Sequence, residues 1–487
     1  MSSLIQLFTK IQYLCTTADV WTSHNRSYLG VTGHWIDPVL LTRRSAALAC
    51  SRLLGHLTYD VLAGALDAVH AKFGIREKAV MTVTDNGANF VKAFSTYSDE
   101  NAISNIDDAG QTQLVQENNG EVVFVEVGPI LDDNNVEQEY VLPPHQRCGA
   151  HTMNLIAVKD TEAACADASY KKISRNALAK CAGLWNKASR STVAAEAVHN
   201  AVKFALIVPN ATRWNSYYQA VDKVCDVVRK HSETTLNDIC TSISVALFRP
   251  VDIAFILEYS RVMQPVAQAL DILQSEDKCY IGILLPTLVS LKKQLLKAHQ
   301  GLKLALPLVD ALLRGIETLF QGYFDRKDLI LASLTHPQFK LRWLEDADAK
   351  ERARQLFLNA MKSESEKVCA AQHQSTTCTS EQVAAVSDAD SFFYFEEVAH
   401  CDNSCSTILA EMDMFLADSS RDISCLANAH YPLVKSLFLR YNTGMPSSAP
   451  VERLFSFGGQ ILTPRRNRLS DENFEMQLLL HANKSIV

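Results

Sequence analysis

The stretch AVMTVTDNGANFVKAF, residues 79–94, decides how the rest of the chain is read. Ala79 to Thr84 is a short run rich in β-branched residues, the signature of a buried strand. It passes directly into Asp85-Asn86-Gly87, which is turn chemistry and a helix start. A strand that ends on an acidic residue and turns into a helix is a common way for an α/β sheet to present a side chain at its edge. Working back, Leu57, Val61, Leu62, Ala65, Leu66, Val69 and Phe73 recur at helical spacing, and Gly74 stands where a left-handed C-cap belongs. Before that, Ile11–Asp19 and Tyr28–Asp37 read as two β-runs separated by the polar turn 22–27. The order is hairpin, helix, strand, with Asp19 expected at the end of the first strand and Asp85 at the end of the last.

Working forward, the character changes between Asp99 and Glu139, which hold eleven Asp or Glu and no Lys or Arg. This stretch reads as a solvated acidic loop. From about 148 to 345 the pattern is mainly helical, with amphipathic segments near 170–190, 213–231, 251–274 and 286–320. Residues 362–405 are rich in Ser, Thr, Glu, Asp and Cys and read as a linker. From about 430 the chain is helical again and ends in an apolar run, Phe474 to Leu480.

Bulk properties narrow the possibilities. A chain of 487 residues with 47% hydrophobic and 21% charged residues has ample material for a large core. The net charge of -7 argues against holding nucleic acid by bulk charge alone, so any such contact must come from local basic patches. No run of about 18 apolar residues suits a membrane span. The thirteen scattered cysteines follow no signal-peptide pattern and read as free thiols.

Carboxylates at the ends of neighbouring strands can converge on divalent cations that activate a water and stabilise a leaving oxygen. Hard oxygen donors suit Mg²⁺ or Mn²⁺. Taken alone, Asp19 and Asp85 read first as turn formers or helix N-caps and only second as metal ligands. Cys148 and His151 make a C-x-x-H pair, half of a zinc site with no second half nearby, and read first as a buried Cys with a hydrogen-bonded His on one helical face.

Five sequence words occur in order: ADVWTSHNRSYLGVTGHWID (18–37), VTDNGANFVKAF (83–94), RCGAHTMNLI (147–156), NATRWNSYYQAV (210–221) and SSAPVERLFSFGGQILTPRRNRLSDENFEMQLLLHANK (447–484). Together they resemble hAT-type DNA transposases and their domesticated relatives, from about residue 12 to the C-terminus. The resemblance implies an α/β ribonuclease H-like core interrupted by a large all-α insertion, with a C-terminal helical dimerisation region. On that scheme residues 1–160 begin the core, with an acidic loop at about 99–141. Residues 161–361 form the insertion, 362–405 the linker, and 406–487 the dimerisation region that completes the core.

The resemblance also assigns roles. The catalytic and metal-binding triad maps onto Asp19, Asp85 and Glu452, with Mg²⁺ or Mn²⁺ as the cofactor. His151 maps onto a group that positions DNA. Arg213 and Trp214 map onto a base-stacking pair, an interaction worth about 1–3 kcal/mol per base. Arg465, Arg466 and Arg468 are read as DNA contacts or as residues flanking helix ends. Leu454, Phe455, Phe457, Leu478 and Leu479 map onto the dimer-forming region, although part of this apolar surface belongs to the chain's own core.

The expected partners are a second copy of the chain and transposon-end DNA, with no membrane and no small-molecule substrate, in the nucleus. Related transposases carry a BED-type zinc finger ahead of the first catalytic Asp, and no such pattern precedes Asp19 here. The alternative expectation is therefore a catalytically idle, domesticated nuclear protein that dimerises and acts through chromatin or transcriptional partners.

Overall fold

His24 and Asn25 both adopt positive φ, 49° and 59°, and close a two-residue turn whose twist suits paired strands. The turn joins β1 (Leu14–Ser23) to β2 (Arg26–Ile36). The computed structural model describes residues 2–97, 140–210, 214–276, 278–375, 403–463 and 469–484. Asp19 therefore lies within β1 and not at its end: the strand continues through Trp21 to Ser23 in unbroken register with β2. The polar residues Thr22 and Ser23, expected as turn, are paired strand.

β3 (Arg43–Leu53) adds to β2 antiparallel, β4 (Ala79–Thr84) adds to β1 parallel, and β5 (His145–Arg147) adds to β4 parallel. The resulting five-stranded mixed sheet has the order β3-β2-β1-β4-β5. β3 was not foreseen, because its Arg, Ala, Ser and Cys residues carry a weak strand signal.

One face of the sheet is covered by α1 (Ser2–Thr9), α2 (Tyr59–Phe73) and α3 (Ala88–Tyr97). Phe8, Leu14, Ala18, Leu29, Val31, Leu66 and Phe94 belong to a single core there. Gly74 ends α2 at φ 64°, and its amide and that of Ile75 close the last turn on Ala71 and His70 carbonyls. That is the expected left-handed cap.

The other face meets the helical part of the chain. After β5 come α4 (Gly149–Leu155), α5 (Ala168–Arg190), α6 (Thr192–Val202), α7 (Trp214–Lys230), α8 (Glu233–Ser242) and α9 (Pro250–Leu273). Then follow α10 (Leu284–His299), α11 (Leu306–Phe320), α12 (Lys327–Thr335) and α13 (Ala347–Ser375). The expected segment 286–320 is thus two helices, parted at Gly301 with φ 84°. Cys15, Met81 and Val83 of the sheet share one continuous core with these helices.

The expected linker 362–405 is helical over its first part, since α13 runs to residue 375. Met361 and Glu364 are buried there, and Glu364 accepts a hydrogen bond from the Ser436 hydroxyl at 2.5 Å. Residues 376–402 lie outside the described residues, as does most of the acidic loop.

The chain closes with α14 (Asn403–Ala417), α15 (Pro432–Asn442), α16 (Ala449–Ile461) and α17 (Asp471–Ala482). α17 seals the edge strand. Ala47 of β3 exchanges two hydrogen bonds with the Asn483 side chain (2.8 and 2.9 Å), and the Cys50 amide donates to Glu475 at 2.9 Å. Covering an edge in this way prevents strand addition by another chain. No helix among the described residues is long and apolar enough to cross a membrane.

Candidate active site

Alternation along β1 sends Cys15, Thr17, Asp19 and Trp21 to the face shared with the helical region. On β4 the same face receives Met81 and Val83, and Asp85 follows in phase just beyond the strand. The parallel register pairs Thr17 with Val83. Two residues further along, Asp19 and Asp85 fall side by side on neighbouring strands. The structure thus brings together two acids that are far apart in sequence.

The third acid arrives on α16. This helix packs across β1 and β2, and its approach depends on one residue. Gly30 is the cross-strand partner of Asp19, and a Cβ there would sit 2.5 Å from the Phe455 ring and 2.7 Å from Val451. Phe455 stacks on Trp21 with ring centroids 5.7 Å apart. Val451 and Phe455 bracket Glu452, which lies in the first turn of α16 and is half-buried.

Electrostatics register the convergence. The Asp19 carboxyl is pushed up to about 7, first by burial, then by the negative charge of Asp85, with a further contribution from Glu452. The hydrogen bond from the Val20 amide to Asp19 Oδ1 (2.7 Å) opposes this but does not cancel it. Like charges gathered in a partly desolvated place disfavour the ionised form. Asp85 Oδ1 accepts from the Gly87 amide at 3.0 Å, the turn chemistry expected of Asp-Asn-Gly. Among the described residues, no three His, Cys, Asp or Glu side chains are drawn together as a closed ligand cluster. The carboxylates instead lean on local amides, as mutually repelling groups do.

Cys148 holds the arrangement together. Its amide donates to the Thr84 carbonyl at 2.8 Å, tying it to the end of β4. Its thiol, 1% exposed, accepts from the amides of His151 and Ser448, each at 3.3 Å. It therefore caps α4 and also fixes the residue just before α16. The Gly149 amide adds a bond to the Pro446 carbonyl at 2.8 Å. The C-x-x-H pair is a cap and a clamp, and the partly exposed His151 sits one helical turn from that clamp.

Two arginines anchor the same segment. Arg43 donates to the carbonyls of Asn442, Thr443 and Gly444 at 2.6, 2.9 and 3.2 Å, satisfying the end of α15. Arg453, next to Glu452, pairs with Glu276 at 2.9 Å and donates to the Gln274 carbonyl at the end of α9. Neither Gly30, Cys148 as a clamp, nor Arg43 had a signal in the sequence.

The remaining expected site residues fall in three groups. Trp214 begins α7, while Arg213, Arg465, Arg466 and Arg468 lie outside the described residues. Leu454, Phe455 and Leu478 are buried against Tyr28, Ala47 and Phe474, and Leu479 packs against the same cluster. Phe457 remains 41% exposed beside His481. Neither a scan of family models nor a comparison with curated proteins finds a match for this chain.

Proposed function

We propose that the chain is a metal-dependent DNA strand-cleaving and strand-transferring protein of the hAT transposase type, built on a ribonuclease H-like core. The observation that carries this is that Asp19 and Asp85 lie side by side on one face of the sheet with Glu452 on the helix packed across it, the Asp19 carboxyl being pushed up to about 7 first by burial and then by the charges of Asp85 and Glu452. The strand order β3-β2-β1-β4-β5, with the acids on β1, beyond β4 and on a returning helix, is compatible with an α/β core of that kind.

The donor set fits a divalent metal. All three groups are hard oxygen donors, and their mutual repulsion is what a cation relieves. Asp19, Asp85 and Glu452 would hold Mg²⁺ or Mn²⁺, which when bound supplies an activated water and neutralises charge at the phosphodiester. The chain's own contribution is positional. Gly30 admits α16, Cys148 fixes its entry, and Arg453 holds the helical region against it. His151, Arg213, Trp214, Arg465, Arg466 and Arg468 are proposed DNA contacts, and transposon-end DNA in the nucleus is the proposed target.

The test is cleavage of DNA by the full chain with Mg²⁺ or Mn²⁺, read as nicking of supercoiled plasmid. The reading expects activity that depends on the metal and is lost in Asp85→Asn. Equal cleavage by Asp85→Asn, or by wild type in excess chelator, would exclude it.

A second reading is a catalytically idle protein that dimerises through its C-terminal helices. What favours it is the exposure of Met476 (58%) and Leu480 (59%), one helical turn apart on α17, beside the exposed Phe457. Light scattering at micromolar concentration separates the cases: dimers without metal-dependent cleavage support this reading, and monomers exclude it.

A further inference from the structure

The surface of α5 carries a concentrated run of cations. Over its 23 residues the helix has Lys171, Lys172, Arg175, Lys180, Lys187 and Arg190 and not one Asp or Glu. Lys180 is turned inward onto buried Asp252 at 2.5 Å. The other five are exposed, and none forms an ion pair with any described residue. The neighbouring helix α7 shows the contrast: Lys223, Arg229 and Lys230 there are all paired with Asp222 or Asp226. Five unpaired cations gathered on one helix surface, in a chain of net charge -7, make a local basic patch of the kind a polyanion would engage.

The exposed positions 168, 169, 171, 172, 175, 179, 183, 186, 187, 189 and 190 lie on one broad side of the helix. Its middle is Ala179 and Gly183, and a Cβ placed at Gly183 would meet nothing within 4 Å. The cations thus fall into two groups about 18 Å apart along the axis, with a low, open step between them. That separation is enough to span a major groove about 12 Å wide and leave one group of cations over the phosphates on either side. This surface offers no exposed aromatic for stacking bases, since Trp185 is buried, which disfavours a single strand. It has no apolar side to enter a membrane and no apolar anchor for a protein partner.

We infer that the exposed face of α5 is a sequence-independent binding surface for the phosphate backbone of duplex DNA. The inference rests on the DNA chemistry proposed above only for the choice of polyanion; it needs neither metal nor cleavage.

The test uses the full chain in chelator, with a fluorescently labelled random 30-base-pair duplex read by anisotropy across a salt series. The comparison is with a variant carrying Lys171→Gln, Lys172→Gln, Arg175→Gln, Lys187→Gln and Arg190→Gln, with its fold checked by circular dichroism. The expected result is an affinity at least tenfold lower and a log–log salt slope shallower by about 4.5, near 0.9 per lost contact. If the fivefold variant does not fold, the 171/172/175 and 187/190 variants replace it, with expected slope changes of about 3 and about 2. Because the assay is run in chelator and reads binding alone, a failure of this surface is distinguishable from a failure of the proposed cleavage. Unchanged affinity and slope in the variants overturns the inference. So does competition by single-stranded DNA, RNA or polyglutamate as effective as that by duplex.

Discussion

The two faces of the sheet are made from the same strands yet treat their polar side chains in opposite ways. On the face under α2, Thr16 of β1 and Thr82 of β4 are fully buried and share a hydrogen bond of 2.7 Å, with His70 Nε2 completing the network at 3.2 Å from Thr16. On the opposite face, three residues along from each, Asp19 and Asp85 stand side by side, both carboxylates and both partly buried. The first cluster is satisfied from within and has nothing left to offer a ligand. The second is unsatisfied from within, and a divalent cation is the group that would complete it. A buried polar network that closes on itself stabilises a fold, whereas one left with surplus charge marks a place where something binds.

This contrast is most sharply broken by exchanging the character of one face. Asp85→Asn should abolish metal-dependent cleavage, by roughly 10³-fold or more, because several kcal/mol of charge stabilisation depend on the carboxylate. The same variant should melt no lower than wild type without metal, since it removes a repulsion. Parallel nicking assays and thermal melts check both halves. The mirror experiment is Thr82→Val, which leaves buried Thr16 and His70 short of a partner. It should cost about 1–3 kcal/mol of stability while metal binding persists, as read by denaturant titration.

Gly30 links the faces to the third acid. Gly30→Ala forces a methyl group against Phe455 and Val451, so α16 must retreat. Overpacking of this kind costs typically about 1–3 kcal/mol. Metal affinity should fall alongside stability because Glu452 moves away, which a structural glycine elsewhere, such as Gly55 with open space around it, would not reproduce.

The smallest expected effect is in pH dependence, and its sign differs between the faces. Asp19 titrates at about 7 in the fold, above its ordinary value of 3.8, so the folded state holds this proton more tightly than the unfolded chain. Its contribution is complete below about pH 4 and is lost as pH rises through 7. His70 is pushed down to about 4 by burial, so its contribution is complete above about 6.5 and is lost as pH falls towards 4. Stability of wild type minus that of Asp19→Asn should therefore decline between pH 4 and 8 without metal, and Mg²⁺ should flatten the decline. A difference that rises over that range would contradict the proposed crowding of charge.

Much of this was written locally in the sequence. Asp85 was legible because strand, acid, amide and glycine follow one another, and α2 because its period and its terminal Gly74 agree. Asp19 was legible as a residue but misplaced as a strand end, since Thr22 and Ser23 look like turn and the real turn is His24-Asn25. β3 was hidden because its stability comes from β2 on one side and from Asn483 and Glu475 on the other, both far away in the chain. Glu452 could be named only through the resemblance. Its position depends on Gly30, Cys148 and Arg43, whose roles exist only once distant segments meet. The apolar C-terminal residues read partly as core and partly as a dimer surface; Leu454, Phe455 and Leu478 are the part that fills the chain's own core, a division periodicity alone does not make.

The central claim is that three carboxylates on one sheet face form a divalent-metal site. Isothermal titration of the full chain with Mn²⁺ at pH 8, where Asp19 is ionised, tests it most directly. The account predicts saturable binding that is lost in Asp19→Asn, Asp85→Asn and Glu452→Gln and kept in Thr82→Val. Binding that survives all three carboxylate variants, or no binding by wild type, would contradict it.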